Sequence, residues 1–268
     1  PGMERYLKAL LNQGARADAE EALRAWWPTA AIDQKEQRYF ISLFGGLLDR
    51  ETHVKRFNQA LYKKQYTNAR ALAQTMGRGY PALAEARIAL AEGKPGTDRL
   101  IAAVPSHLGD DPGLMLERIK WRRRNNNDFG AIELLHAMPD PQSIPNVKDW
   151  WDERHVLVRR LMEKKQFDSA YLLAAGHGLS RGQEFAQAEF IAGWLALKTE
   201  RPDKAFQHFE QLYLHTVTPL SRSRGAYWAA RASAALGYAD VSKQWYQVAA
   251  RYQTAFYGQM AVGALEPE

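Results

Sequence analysis

Glu184-Phe-Ala-Gln-Ala-Glu-Phe-Ile-Ala-Gly-Trp-Leu-Ala-Leu197 opens a stretch that decides the fold. It continues through Ala205-Phe-Gln-His-Phe209, Arg224-Gly-Ala-Tyr-Trp-Ala-Ala-Arg-Ala232 and Trp245-Tyr-Gln-Val-Ala-Ala250 to Thr254-Ala-Phe-Tyr-Gly-Gln-Met-Ala261. Trp194 and Trp228 stand 34 positions apart, the period of a helix–turn–helix repeat. Each Trp is followed by small residues at helical spacing, a turn and a second amphipathic helix. The pairing residues are Phe209, 15 positions after Trp194, and Trp245, 17 after Trp228. The two extra residues fall in the turn Leu236-Gly-Tyr-Ala-Asp240, where an insertion costs little. A helix with an apolar stripe matched to a small-residue stripe cannot bury itself alone, but stacked pairs bury each other. The pattern predicts an all-α superhelix of degenerate, tetratricopeptide-like helical hairpins, closing into a U or partial ring.

Working outward, the same unit recurs. Lys63-Lys-Gln-Tyr-Thr-Asn-Ala-Arg-Ala-Leu-Ala73 returns at an offset of 101 as Lys164-Lys-Gln-Phe-Asp-Ser-Ala-Tyr-Leu-Leu-Ala174, with a fainter copy at Asn126-Asn-Asp-Phe-Gly-Ala-Ile-Glu-Leu-Leu135. In each, polar residues end one helix, an aromatic is expected to plug the elbow, and the next helix begins. Tyr6, Leu7, Leu10 and Leu11 form one face of a first helix ending at Asn12-Gln-Gly14. Asp18 to Ala25 makes a second, stopped near Pro28. Glu36 to Leu48 carries Tyr39, Phe40, Leu43, Phe44, Leu47 and Leu48 at helical spacing, and Thr52 is the expected cap of the next helix. Tyr80-Pro81 and Asp111-Pro112 each open a helix with Pro in its permitted first turn. Asp98 to Val104 is a short helix and Trp150 to Lys164 a long one. Met138-Pro-Asp-Pro-Gln-Ser-Ile-Pro145 is the richest proline cluster, and it suggests a bend dividing residues 1–145 from the more regular residues 146–268.

The bulk properties fit. The chain has 268 residues, 46% hydrophobic and 25% charged, which excludes wholesale disorder. Strand-like alternation is scarce. The net charge of +6 favours loose attraction to polyanions. With no Cys, disulfides and thiolate metal sites are excluded, and an export compartment is slightly favoured. No apolar run reaches the roughly 18 residues a membrane span needs. The opening at Pro1 lacks signal-like character, so any signal is expected to be removed upstream of it.

An ordered series of fragments resembles the α-helical superhelix of the soluble lytic murein transglycosylases. It begins with Leu47-Leu-Asp-Arg50, His53 and Arg56, then Ala84-Glu-Ala-Arg-Ile-Ala-Leu90, Ala103-Val-Pro105, Asp111-Pro-Gly-Leu114, Arg118 and Trp121-Arg-Arg-Arg124. It goes on with Trp150-Trp-Asp-Glu-Arg154, Ala170-Tyr-Leu-Leu-Ala174, His177-Gly178 and Phe190-Ile-Ala-Gly-Trp-Leu-Ala-Leu197. Ser221 to Ala232, Trp245-Tyr246 and Phe256-Tyr-Gly-Gln259 close it. Each fragment is weak alone; the ordered set spans roughly residues 20 to 265. The resemblance implies a periplasmic location and a parent enzyme of the carbon–oxygen lyase class that cleaves peptidoglycan. It also implies a lysozyme-like catalytic domain with a Glu-Ser motif and a downstream Gly-Leu-Met-Gln. No Glu-Ser dipeptide occurs here, and the chain is expected to stop before that domain. Gly113-Leu114-Met115 is followed by Leu116 and reads as a helix start.

No catalytic residue, metal site or cofactor is assigned within these residues. Glu184, Glu189, Asp152 and Glu153 are the carboxylates that a glycosidase reading would use, but helix register explains each as a solvated face or interhelix pair. His208 and His215 lie seven apart, longer than the four-residue step of a helical zinc pair. Trp121-Arg122-Arg123-Arg124 is the binding candidate, a basic and aromatic face for a polyanion or for stem-peptide carboxylates. Arg159-Arg160 with Lys164-Lys165 is a lesser one. The plainer reading of both is a charged outer face with snorkelling stems. Arg222, Arg224 and Arg231 lie near Tyr227 and Trp228, where stacking is the default, and the eight Trp are expected to pack repeats rather than platform sugars. The preferred expectation is a non-catalytic scaffold domain that positions peptidoglycan glycan strands for a separate catalytic domain in the full-length protein. The alternative is a tetratricopeptide-like adaptor gripping a peptide or protein in its groove. A basic RNA-binding repeat ranks last, since no one-base-per-repeat code is visible, so no nucleic-acid partner is expected.

Overall fold

The computed structural model describes residues 2–137, 144 and 146–266, and among these every regular element is helical. The first helices are α1 (Gly2–Asn12), α2 (Arg16–Trp26), α3 (Gln34–Phe44), α4 (Arg50–Tyr62), α5 (Tyr66–Ala73), α6 (Tyr80–Glu92), α7 (Thr97–Ala102) and α8 (Pro112–Arg124). They are followed by α9 (Asp128–His136), α10 (Val147–Glu163), α11 (Phe167–Ala175), α12 (Gly182–Lys198), α13 (Pro202–Leu214), α14 (Pro219–Ala235), α15 (Ala239–Ala250) and α16 (Phe256–Leu265). The all-α expectation holds. No described helix is long and apolar enough to cross a membrane. Two compact units are present, Pro1–Trp121 and Arg122–Glu268, with the division inside α8. The proline cluster at which the sequence suggests a bend lies outside the described residues except for Ile144.

One elbow is used six times. Gly14, Lys64, Asn126, Lys165, Glu200 and Gly237 all adopt left-handed backbone, with φ between 57° and 81°. In each case the next residue's N–H donates to a carbonyl five positions back, at 2.8–3.0 Å. This is the six-to-one bond of the Schellman helix ending, which satisfies a carbonyl that the helix leaves over. The following helix starts two residues after the left-handed position. Five residues after it comes a small buried side chain: Ala19, Ala69, Ala131, Ala170 and Ala205 are fully buried, and Ser242 nearly so. Any larger side chain there would hold the two helices of the hairpin apart.

The fainter echo is shifted by one position from its expected register. Asn126, not Asn127, takes the left-handed conformation, so Asp128 occupies the place held by Tyr66 and Phe167, which are part-buried. Phe129 therefore does not plug its elbow and is 75% exposed.

In the first unit, α1 packs on α2, α4 on α5, α5 on α6 and α6 on α7. Leu7, Leu23, Trp27, Phe40, Phe44 and Leu47 form one core cluster, and Phe57, Leu72, Leu83, Ile88, Leu90 and Leu114 belong to a second. Tyr6, Tyr39 and Leu43, expected on buried faces, lie on the outside of their helices. Thr52 is not a cap. Asp49 caps α4 by accepting the Thr52 N–H at 2.7 Å, and Thr52 is buried inside the first turn. Asp33 and Glu36 form a reciprocal capping box at the start of α3.

In the second unit the helices pack in chain order, α10 on α11, α11 on α12, and so on to α15, with α16 against both α14 and α15. The small-residue stripe works as the sequence implied. A Cβ on Gly193 would lie 2.6 Å from the Phe209 ring, so the bare backbone of α12 is what lets α13 approach. Phe209 is wholly buried as a result, a burial worth about 1.5–3 kcal/mol. Phe209 also meets the Trp228 ring at 5.8 Å, which ties three successive helices through one side chain. None of the eight Trp is on the open surface, in keeping with a packing role.

Candidate functional site

The basic segment Trp121-Arg122-Arg123-Arg124 lies at the end of α8, and its members do different things. Trp121 is part-buried against the second core cluster of the first unit. Arg122 donates to the Gly130 carbonyl at 2.5 Å, tying the α8 end to α9. Arg123 grips Glu153 of α10 with two N–H groups, a forked pair in which the carboxylate is buried. Arg124 is exposed in the last turn. The segment is therefore anchored internally through Arg122 and Arg123.

The second basic cluster is anchored as well. Asp128 of α9 accepts from Arg160 of α10 at 2.5 Å and faces Lys164, just past the end of α10, at 3.8 Å. Of the four candidate carboxylates, Glu153 pairs with Arg123 and Glu184 with Lys148 at 2.6 Å, while Asp152 is exposed. The decoy Gly113-Leu114-Met115 is a helix start. Asp111 accepts the Leu114 N–H at 2.8 Å, Leu114 and Met115 are buried, and the Arg87 guanidinium occupies the space a Cβ on Gly113 would need.

Glu189 is the carboxylate the structure singles out. It sits in the middle of α12, 6% exposed, between two imidazoles from other elements. Its Oε1 is 3.1 Å from His177 Nε2, in the loop after α11, and its Oε2 is 2.6 Å from His208 Nδ1 on α13. The tautomer of His177 follows from its other nitrogen. Nδ1 accepts the Leu179 N–H at 2.9 Å, so Nε2 carries the proton and donates to Glu189. The cluster is walled by rings, with Trp151 and Phe185 edge-on to His177 and Tyr171 edge-on to His208. Burial alone pushes the Glu189 carboxyl up, but hydrogen bonds from His177 and His208 outweigh it and hold the group below its usual value. The arrangement keeps a buried carboxylate ionised and fully engaged, which suits a structural clasp better than proton transfer.

His215, the other imidazole singled out by spacing, lies just past α13, is exposed, and meets Phe185 edge-on, so it shares no site with His208. No group of three His, Cys, Asp or Glu able to hold a metal occurs among the described residues. Arg222, Arg224 and Arg231 each lie over a ring, as expected, but of the three Arg231 uses the neighbouring Trp228, while Arg222 and Arg224 lie over Tyr213 and Phe190. The sequence offered Glu189 and His208 as separate candidates and His177 only within a fragment. Partners 12 and 19 positions away on different elements cannot be joined by helical spacing.

Comparison of the chain with protein-family models and with curated proteins found no match.

Proposed function

We propose that this chain is a non-catalytic helical scaffold of a periplasmic soluble lytic transglycosylase, acting in peptidoglycan cleavage and cell-wall remodelling. It would hold glycan strands in place for a separate catalytic domain. The ordered fragments between Leu47 and Gln259 motivate the family. The observation that carries the scaffold role is the use of the buried charges. Glu153 and Glu189 are buried and committed to cations or imidazoles on neighbouring elements. A glycosidase acid needs a carboxyl held in reserve, raised in pKa and facing a cleft; Glu189 is held low instead.

The test is sedimentation of the full chain with purified sacculi, followed by analysis of the supernatant. The reading expects the chain to pellet with the wall and to release no anhydromuropeptides. Release of such fragments by this chain alone, or failure to co-sediment, sinks it.

A tetratricopeptide-like adaptor is the second reading. It is favoured by the six elbows in one register and by an open groove in the second unit. A saturable peptide or protein partner with no sacculus binding would put it first.

A further inference from the structure

We propose that the groove between the N-terminal ends of α12 and α14 is a binding site for a short, extended acidic peptide. The groove encloses about 630 Å³, within the size range of ordinary ligand pockets. Its floor and one wall come from the first turns of α12 and α14, and the segment 215–218 supplies the other wall.

Three observations set the ligand's chemistry. The first is charge. Arg181, Arg224 and His215 line the groove, and no lining residue is acidic. Elsewhere in this unit, Arg123, Arg160 and Arg201 are paired with Glu153, Asp128 and Asp168. Among the described residues, Arg181 and Arg224 have no such carboxylate. Arg224 lies over the rings of Phe190 at 4.8 Å and Tyr257 at 5.6 Å, and its Nε is buried with no hydrogen-bond partner. A guanidinium presents five N–H donors in a planar fork that fits a carboxylate, and ring faces satisfy none of them as an oxygen would.

The second is what is missing from the walls. No Trp, Tyr or Phe lines the groove, so the broad ring faces on which nucleobases and sugars usually stack are missing, His215 being the one ring in its lining. The third is the apolar edge. Val217, on the 215–218 wall, is 87% exposed, and Leu220, on the first turn of α14, 51%, beside the hydroxyls of Thr218 and Ser221. Carboxylates alternating with aliphatic side chains match that lining, and a bare inorganic anion would leave the aliphatic edge unused. The first turn of α12 adds a weak favourable dipole, since its cap residue Arg181 provides no side-chain acceptor, although the Glu184 carboxylate takes up its own residue's N–H. Glu184, in that same turn, is taken up by Lys148.

This site stands apart from the cell-wall reading and is tested without sacculi. A fluorescein-labelled pentapeptide alternating Glu with Val and Leu is titrated with the full chain by polarisation, beside the same peptide with Gln for Glu. The expected result is saturable binding with a dissociation constant below about 1 mM and at least tenfold weaker binding of the Gln peptide, about 1.4 kcal/mol. Arg181→Glu, an exposed substitution, should weaken the acidic peptide at least fivefold with an unchanged thermal melt, and Arg224→Gln should do the same. No binding, equal binding of the two peptides, or an Arg181→Glu chain with full affinity overturns the site. Displacement of the peptide by 10 mM inorganic phosphate or by an RNA oligonucleotide would show a general anion surface and also overturn it.

Discussion

Glu189 of α12 and His208 of α13 meet at 2.6 Å across a helix–helix contact, with His177 closing the other oxygen of the same carboxylate. Three elements separated in sequence are thereby fastened at one buried point. Glu189→Gln keeps the volume but presents an amide N–H₂ to one of two imidazoles that already donate. Breaking a buried charged contact in this way costs about 3–5 kcal/mol. Urea denaturation followed by Trp fluorescence should show that loss. The pH dependence has a definite sign. The carboxyl is held below its ordinary value of 4.5, so its contribution is complete above that pH and fades as pH falls through the lower folded value. The difference between wild type and Glu189→Gln should therefore shrink as pH falls below 4.5. A difference that keeps growing as pH falls below 4.5 would contradict the clasp.

Gly225 tests the helix spacing in a way Gly193 does not. A Cβ on Gly225 would lie 2.8 Å from the Tyr213 backbone nitrogen and 2.9 Å from the Phe209 carbonyl oxygen, so α13 and α14 must part to admit it. At Gly193 the obstacle is the Phe209 ring, a side chain that can be shortened. Both Gly→Ala changes should destabilise by about 1–3 kcal/mol. Phe209→Leu added to Gly193→Ala should recover part of its loss, whereas added to Gly225→Ala it should only deepen it. Melting curves for the four variants decide the matter, and equal non-additivity in both pairs would count against this packing account.

The hairpins could be read from residue order because their determinants are local. An elbow needs one left-handed residue and a small residue five positions later, and Lys63 to Ala73 and Lys164 to Ala174 display both. The one-residue slip at Asn126 arose because Phe129 was matched to Tyr66 by its ring, whereas the backbone turn, not the aromatic, sets the register. Thr52 was misread as a cap because Asp49, three positions earlier, is the better acceptor. The Glu189 clasp and the groove beside Arg224 depend on which hairpins become neighbours, and no local spacing encodes that.

Arg56 is a buried cation whose partners are neutral oxygens. It donates to the Gln37 side chain at 2.8 Å and to the carbonyls of Trp27 and Ala30 at 2.7 and 3.2 Å, with its guanidinium 4.5 Å from the Trp27 ring. Burial pulls its pKa down to about 10. It gives the Trp27 and Ala30 carbonyls, in the turn around Pro28, a second donor beside the backbone N–H groups of Ala30 and Ile32, and it is the donor to the buried Gln37 Oε1. Arg56→Met removes the buried charge but strands the Gln37 oxygen, and a stranded acceptor costs about 1–3 kcal/mol. Arg56→Lys keeps the charge without the planar fork and should also destabilise, though less. If Arg56→Met were as stable as wild type in urea, relief of the buried charge would outweigh the lost hydrogen bonds, and that donor role would fall.

The elbows allow a prediction of opposite sign at two positions. Glu200 holds φ at 57° and Gly237 at 81°, each at the same point of its hairpin. A side chain in left-handed backbone is strained by its Cβ, while glycine is not. Glu200→Gly should therefore stabilise the chain by about 0.5–1 kcal/mol, although glycine weakens most other helical positions. Gly237→Ala should cost about 1 kcal/mol even though no atom lies within 4 Å of the added methyl, so its cost would be purely conformational. Denaturant midpoints with unchanged slopes would confirm that both act on the native elbow. A destabilised Glu200→Gly chain would mean that Glu200 makes a contact worth more than the strain it bears, and the shared-elbow account would fail at that hairpin.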